Sequence, residues 1–97
     1  MMNFDYLYDE TERPLTRYVS FATQNKRYDL AMVYTRHFNG KTLVISLQNL
    51  QGGLIAQEDI DHADWAKALQ IDPDDVEIVK EFLRSRLYSI DRLMDQY

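Results

Sequence analysis

Three runs of β-branched and aromatic residues, separated by short polar turns, fill the first half of the sequence. The runs span 15–23, 28–36 and 42–48. This composition is typical of β-strands. The connection at 24–27 and the Asn39-Gly40 pair are too short for a crossover, so neighbouring strands must run antiparallel. The sequence therefore predicts an antiparallel meander with 28–36 in its centre, and a short fourth strand at 54–56.

The second half of the sequence predicts two helices. A short helix is expected around 61–70, with Trp65 as its anchor against the sheet. Asp72 and Pro73 form the clearest helix start in the chain, because Asp caps helices and Pro is favoured at the first helical position. Apolar residues then recur at spacings of three and four, which predicts one long helix to about residue 96.

These elements predict an α+β fold: a three- to four-stranded antiparallel meander, then a short helix and a long C-terminal helix packed on one sheet face. The 97 residues form a single domain, 1–97. Residues 1–12 are acidic with interleaved aromatic side chains, and we expect an N-terminal arm or an edge strand there. The chain has no cysteine and does not begin like a signal peptide, so we expect a cytoplasmic protein.

Side-chain alternation divides the predicted sheet into two faces. With a two-residue hairpin at Asn39-Gly40, Met32 lies opposite Leu47, and at the first hairpin Phe21 lies opposite Leu30. The core face then collects Val19, Phe21, Leu30, Met32, Tyr34, Leu43, Ile45 and Leu47. We expect the helices to cover this face.

The opposite face of the predicted sheet is nearly free of charge. It includes Tyr18, Val33 and Val44, and its one charged residue, Asp29, lies at the rim. A sheet face in water normally carries more charge. Two interpretations follow: the face is covered, by residues 1–12 or by another subunit, or it is simply an exposed face rich in Thr and Ser.

The predicted long helix offers a second candidate surface. Its apolar positions from Leu83 onward also fit a heptad seam, and a helix longer than the strands beneath it leaves its end uncovered. A second copy in a two-fold dimer is the simplest cover. The candidate self-association residues on the two surfaces are Tyr18, Val33, Val44, Leu87, Ile90, Met94 and Tyr97.

Positive charge is concentrated in the strand-forming half. Residues 13–53 carry six basic side chains and one acidic one, although the net charge of the chain is −5. A candidate edge for an anion or an acidic partner comprises Arg13, Arg17, Tyr34, Arg36, His37 and Lys41. Such groups bind phosphate or carboxylate. Pairing with the protein's own acidic segments is the favoured alternative.

No catalytic, metal or cofactor motif stands out in the sequence. The acids around His62 do not match a calcium loop, and helix capping accounts for them. We therefore expect a non-enzymatic, self-associating protein-interaction module without a cofactor. The alternative is an anion-recognising module that binds nucleic acid or a phosphorylated ligand. The expected partner is a second copy, or another protein; the acidic net charge argues against nucleic acid and membranes.

The segments 27–35 and 40–45, together with Leu7-Tyr8-Asp9-Glu10 near the start, resemble a family of short Firmicutes proteins catalogued as a domain of unknown function. The resemblance covers most of the chain and includes the acidic helical end. It implies a bacterial, cytoplasmic protein. It implies no activity and no functional residue.

Overall fold

The computed structural model describes residues 3–62 and 64–87, which form an antiparallel sheet followed by two helices. The four strands lie side by side in sequence order. They are β1 (Leu15–Ala22), β2 (Arg27–Tyr34), β3 (Thr42–Ser46) and β4 (Gln51–Ile55). The predicted α+β class and the meander are confirmed.

Two short helical units follow the sheet, each preceded by a 3₁₀ turn. The 3₁₀ turns are Gln57–Asp59 and Pro73–Asp75, and the helices are α1 (Asp64–Ala68) and α2 (Val76–Arg84). Trp65 is buried in α1, and its indole N–H donates to the carbonyl of Ile60 at 3.0 Å. The predicted anchoring role of Trp65 is confirmed.

The helix start at Asp72 and Pro73 is also confirmed, but the helix is shorter than predicted. The Asp72 carboxylate accepts a hydrogen bond from the backbone N–H of Asp74 at 2.9 Å. At the other end, α2 stops at Arg84, and the Ser85 hydroxyl and the Arg86 guanidinium both donate to the carbonyl of Phe82. These side chains donate to a carbonyl that would otherwise accept from a backbone N–H of the next helical turn. The prediction of one continuous helix to residue 96 is therefore wrong at 85–87. Residues 88–97 lie outside the described residues.

The first hairpin has the predicted faces but a different register. Phe21 lies opposite Tyr28 rather than Leu30. The turn takes in Thr23, whose hydroxyl oxygen accepts from the backbone N–H groups of Asn25 and Lys26. The register therefore differs by two residues, an even number, and each side chain keeps its face.

The second hairpin reverses the faces of β3. Asn39 and Gly40 adopt positive φ angles of 54° and 82°, as the turn prediction requires. Residues 35–37 nevertheless leave the ladder, and Met32 pairs with Val44 instead of Leu47. A shift of three residues is odd, so every β3 side chain changes face.

This reversal corrects several predicted positions. Val44 is fully buried in the core rather than on the second face. Leu43 and Ile45 lie on the second face rather than in the core, and Leu47 is exposed beyond the end of β3. The buried cluster comprises Tyr28, Leu30, Met32, Tyr34, Val44, Ile55, Ile60, Trp65, Ala66, Leu69, Ile71, Val79, Leu83 and Leu87. The helices cover this face of the sheet.

Candidate functional site: the open sheet face

The sheet face that points away from the helices carries two adjacent rows of mostly apolar residues. The first row crosses the strands through Tyr18, Ala31, Ile45 and Gly52, and the second through Thr16, Val33, Leu43 and Leu54. The Tyr18 side chain is 74% exposed and that of Leu54 is 42% exposed. We call this surface the open face. Within the described part of the chain, the apolar side chains of both rows are partly or largely exposed, except for the buried Ala31.

Gly52 leaves the first row of the open face without a side chain on β4. It pairs with Ile45, and a side chain at Gly52 would collide with the backbone carbonyl of Val44. The close approach of β4 to β3 therefore requires a glycine here. As a result Ile45 has no neighbouring side chain in the same row of β4.

The charges of the open face lie at one end. Arg27 and Asp29 form an ion pair there, with 3.1 Å between Nε and Oδ1. The Ser20 hydroxyl also donates to Asp29, and Gln48 Nε2 donates to it at 2.8 Å. The hydrogen bond from Ser20, with the help of Arg27, lowers the pKa of Asp29. The interior of the face therefore presents no charged group.

The N-terminal segment does not cover the open face within the chain. Phe4, Tyr6 and Tyr8 are all exposed, and residues 3–14 form neither helix nor strand. The segment is held instead at the end of the sheet, because the Glu12 carboxylate accepts from the Thr35 hydroxyl and from the backbone N–H of Arg36. The sequence predicted, as one of two interpretations, that this face is covered either by residues 1–12 or by another subunit. Among the described residues, the N-terminal segment does not cover it.

Glu12 also explains the long β2–β3 connection. Its hydrogen bonds hold Thr35 and Arg36 away from the ladder, and the Thr35 hydroxyl oxygen accepts from the backbone N–H of His37 at 3.2 Å. The backbone N–H of Arg36, followed by the Thr35 hydroxyl, lowers the pKa of Glu12. The contact between the N-terminal segment and the loop thus accompanies the longer connection, in whose register Val44 is buried.

The six residues of the predicted cationic edge do lie at one end of the sheet, but acidic groups contact several of them. Lys41 Nζ lies 3.1 Å from the Asp59 carboxylate. His37 Nε2 lies 3.4 Å from Glu12 and 3.8 Å from Glu10. Carboxylates from both acidic segments thus approach the edge, as the internal-pairing alternative anticipates.

The other members of that edge occupy separate environments. Tyr34 is buried, and its hydroxyl donates to the carbonyl of Arg86 at 2.7 Å. Arg17 is half-buried on the helix-covered face, opposite Met32, whereas Arg13 is exposed. The edge is therefore not one continuous cationic surface.

Sequence reasoning missed a buried carboxylate at the opposite end of the sheet. Asp75 follows the predicted helix start at Asp72 and Pro73, where an acid is expected to be exposed, yet it is 1% exposed. It accepts from the Tyr28 hydroxyl at 2.6 Å, from the Thr23 hydroxyl at 2.8 Å and from Asn25 Nδ2 at 2.9 Å. These contacts join the β1–β2 turn to the start of α2.

The pKa values of this pair reflect the same contacts. Burial alone raises the pKa of Asp75, but the hydrogen bonds from Tyr28, Asn25 and Thr23 outweigh it and lower the value. Burial and the hydrogen bond to Asp75 raise the pKa of Tyr28 to about 12. The carboxylate is fully satisfied by the protein, so we assign it a structural role. No pattern in the sequence indicates that an acid at the start of α2 contacts the distant β1–β2 turn.

The acidic residues before α1 also have structural partners. Asp59 Oδ2 accepts from the backbone N–H of Ala56 at 2.9 Å, which with Lys41 lowers the pKa of Asp59. A cleft of about 310 Å³ lies beside them and includes His62 and Trp65 in its walls. Within residues 3–62 and 64–87, no three His, Asp or Glu side chains are grouped as metal ligands.

The fold and the open face define a small α+β protein in which, among residues 3–62 and 64–87, helices cover one sheet face and leave the other open. Residues 7–85 match the SAV0927-like family, and the chain belongs to that family. The predicted membership of a family of uncharacterised proteins is thereby confirmed. An origin in the Firmicutes stays a prediction. Among curated proteins, none matches this sequence. None of the helices in the described part of the chain has both the length and the hydrophobicity to cross a bilayer.

Proposed function

We propose that the protein is a homodimeric protein-interaction module whose open face binds the open face of a second copy. The observation that carries this proposal is the pair of adjacent apolar rows across all strands of the sheet. Removing such a surface from water is favourable, and contiguous exposed apolar patches commonly mark interaction sites. We expect the protein to act in the cytoplasm and without catalysis.

A second copy suits this surface because of its charge distribution. The interior of the open face is uncharged, and its terminal charges, Arg27 and Asp29, are of opposite sign and already paired. Two identical faces therefore do not repel each other. The described helices, α1 and α2, lie on the other side of the sheet, away from the contact. Two sheets can then pack face to face about 10 Å apart, related by a two-fold axis.

The structure changes which residues this proposal uses. Tyr18 and Val33 remain candidates because they lie on the open face. Val44 and Leu87 are buried in the chain's own core and are withdrawn. The remaining predicted residues, Ile90, Met94 and Tyr97, lie outside the described residues. Their places are taken by Leu43, Ile45 and Leu54, which the β3 reversal and the fourth strand bring to the open face.

Sedimentation velocity at micromolar concentration tests the proposal. The expected mass is about twice the 11.5 kDa of one chain. Tyr18→Lys and Leu54→Lys each place a charge on the open face and should shift the protein to monomer. The matched control is Ile78→Lys, since Ile78 is 59% exposed but lies on α2; this variant should remain dimeric. A wild-type protein that sediments only as monomer would overturn the proposal.

The anion-recognising alternative has less support from the contacts at the cationic edge. The Lys41 ammonium faces Asp59, and two carboxylates face His37. An incoming phosphate would have to displace these carboxylates, and their negative charge would repel it. A salt-dependent titration with a labelled oligonucleotide distinguishes the two functions. Our proposal predicts no binding at low salt, and binding that weakens with salt would favour the alternative.

A further inference from the structure

Residues 3–7, which we call the tip segment, project from the domain with their apolar side chains uncovered. Leu7 is 91% exposed, and the Phe4 and Tyr6 rings are also exposed. Those two rings contact each other edge to face at 5.4 Å, so they lie on the same side of the chain. Asp5 and Leu7 alternate with them in sequence. This alternation is the pattern of a strand with two distinct faces.

The residues that follow the tip segment are fixed at the end of the sheet. Glu12 is bound to the β2–β3 connection, Glu10 lies 3.8 Å from His37, and the Tyr8 ring stacks on His37 at 6.5 Å between centroids. The chain therefore leaves the domain at this end. It does not turn back beside its own β1. The tip segment is positioned to reach a neighbouring molecule.

The outer edge of β1 can accept an additional strand. β1 has eight residues and pairs, in the described part of the chain, with β2 alone. Proteins usually protect such edges with several charges, a proline or a bulge, yet the single charge within β1 is Arg17. No carboxylate of the described residues forms an ion pair with Arg17.

We infer that, in the dimer proposed above, the tip segment of each copy adds as a fifth antiparallel strand to the β1 edge of the other. This inference rests on the proposed self-association. It identifies residues 3–7 of a second copy as the occupant of the edge. Backbone hydrogen bonds supply the affinity in such strand addition, and alternate side chains supply the specificity. An exchange of this kind is a known route to two-fold dimers.

One register gives favourable side-chain pairs on both faces of the new strand. When Asp5 lies opposite Arg17, the opposite charges meet on the helix-covered side of the sheet. In the same register Phe4 lies beside Tyr18 on the open face, and Leu7 lies opposite Leu15. Aromatic pairs and opposite charges are both favourable across strands. Five residues then span about 17 Å of the edge at about 3.3 Å each.

A charge exchange in the full-length chain tests this register. Asp5→Arg and Arg17→Asp should each weaken the dimer, on the order of tenfold, because the altered pair occurs twice in a two-fold dimer. The double variant should restore the wild-type dissociation constant. The control is Asp9→Arg, which makes the same charge change four residues away, outside the paired segment, and should leave the dissociation constant unchanged.

A proline in the tip segment tests the backbone contact. Leu7→Pro removes a backbone donor at an exposed position, so it should weaken the dimer without unfolding the monomer. Hydrogen exchange of the β1 amides should become faster in this variant. If the wild type is a dimer but neither Asp5→Arg nor Leu7→Pro weakens it more than Asp9→Arg, the strand exchange is wrong and the proposed function stands. A wild type that is monomeric would overturn both.

Discussion

Replacing Tyr28 with Phe removes one hydroxyl that connects the sheet to the start of α2. This hydroxyl donates to Asp75 at 2.6 Å and accepts from the backbone N–H of Asp72 at 3.1 Å. The ring itself stays in place, since it packs on Phe21 at 5.4 Å between centroids. The substitution therefore isolates the hydrogen bonds from the packing.

The expected loss of stability follows from what remains buried. Without the Tyr28 hydroxyl, the carboxylate of Asp75 retains two donors from the β1–β2 turn, and the Asp72 N–H loses its acceptor. Leaving buried polar groups without partners costs about 1–3 kcal/mol. For a domain of this size each kcal/mol lowers the melting temperature by about 4–8 °C. We therefore expect Tyr28→Phe to melt roughly 4–24 °C below the wild type.

Urea and thermal unfolding followed by circular dichroism measure this loss. Tyr6→Phe is the matched control, because it removes the same hydroxyl from an exposed ring and should change the free energy of unfolding by less than about 0.5 kcal/mol. If Tyr28→Phe is no more destabilising than Tyr6→Phe, the connection between β2 and α2 through Asp75 does not contribute to stability, and the reasoning is refuted.

Two further predictions concern the Asp75 carboxylate and the close approach of β4 to β3 at Gly52. Asp75 has a lowered pKa, so the stability it contributes is present above its unfolded pKa of about 4 and is lost as the pH falls through the lower folded value. Urea midpoints should therefore fall more steeply with decreasing pH in the wild type than in Asp75→Asn, which keeps only the contribution of the other carboxylates with lowered pKa values. Gly52→Ala should destabilise the protein by about 1–3 kcal/mol, because the new Cβ meets the Val44 carbonyl. Gly53→Ala should be nearly neutral, since a Cβ added at Gly53 has no atom within 4 Å apart from those of its chain neighbours. Equal urea midpoints for the two glycine variants would contradict the close β3–β4 approach.

The fold could be read from local patterns wherever those patterns act within a few residues. The strand-forming runs predicted the meander, and Asp72 with Pro73 predicted the helix start. The end of α2 escaped prediction because apolar spacing continues past Arg84. There the hydroxyl of Ser85 and the guanidinium of Arg86 both donate to the carbonyl of Phe82 instead.

The open face was harder to predict because its composition depends on the length of the β2–β3 connection. Asn39 and Gly40 formed their turn as expected, yet the Glu12 carboxylate holds Thr35 and Arg36 out of the ladder. Residue spacing alone does not reveal this contact across the chain. The longer connection reverses β3, and thereby places Ile45 on the open face. Tyr18 was placed correctly because the error in the first hairpin was an even number of residues.

The most direct test of the central proposal detects contacts between copies at the open face. A mixture of ¹³C-labelled and unlabelled protein is examined by isotope-filtered NMR for contacts between the two copies. The proposal predicts contacts from the methyl groups of Val33, Leu43 and Ile45 to protons of the unlabelled copy, and none from the exposed methyl groups of Ile78. Contacts confined to Ile78, or no contacts between copies at concentrations where the wild type is fully folded, would contradict it.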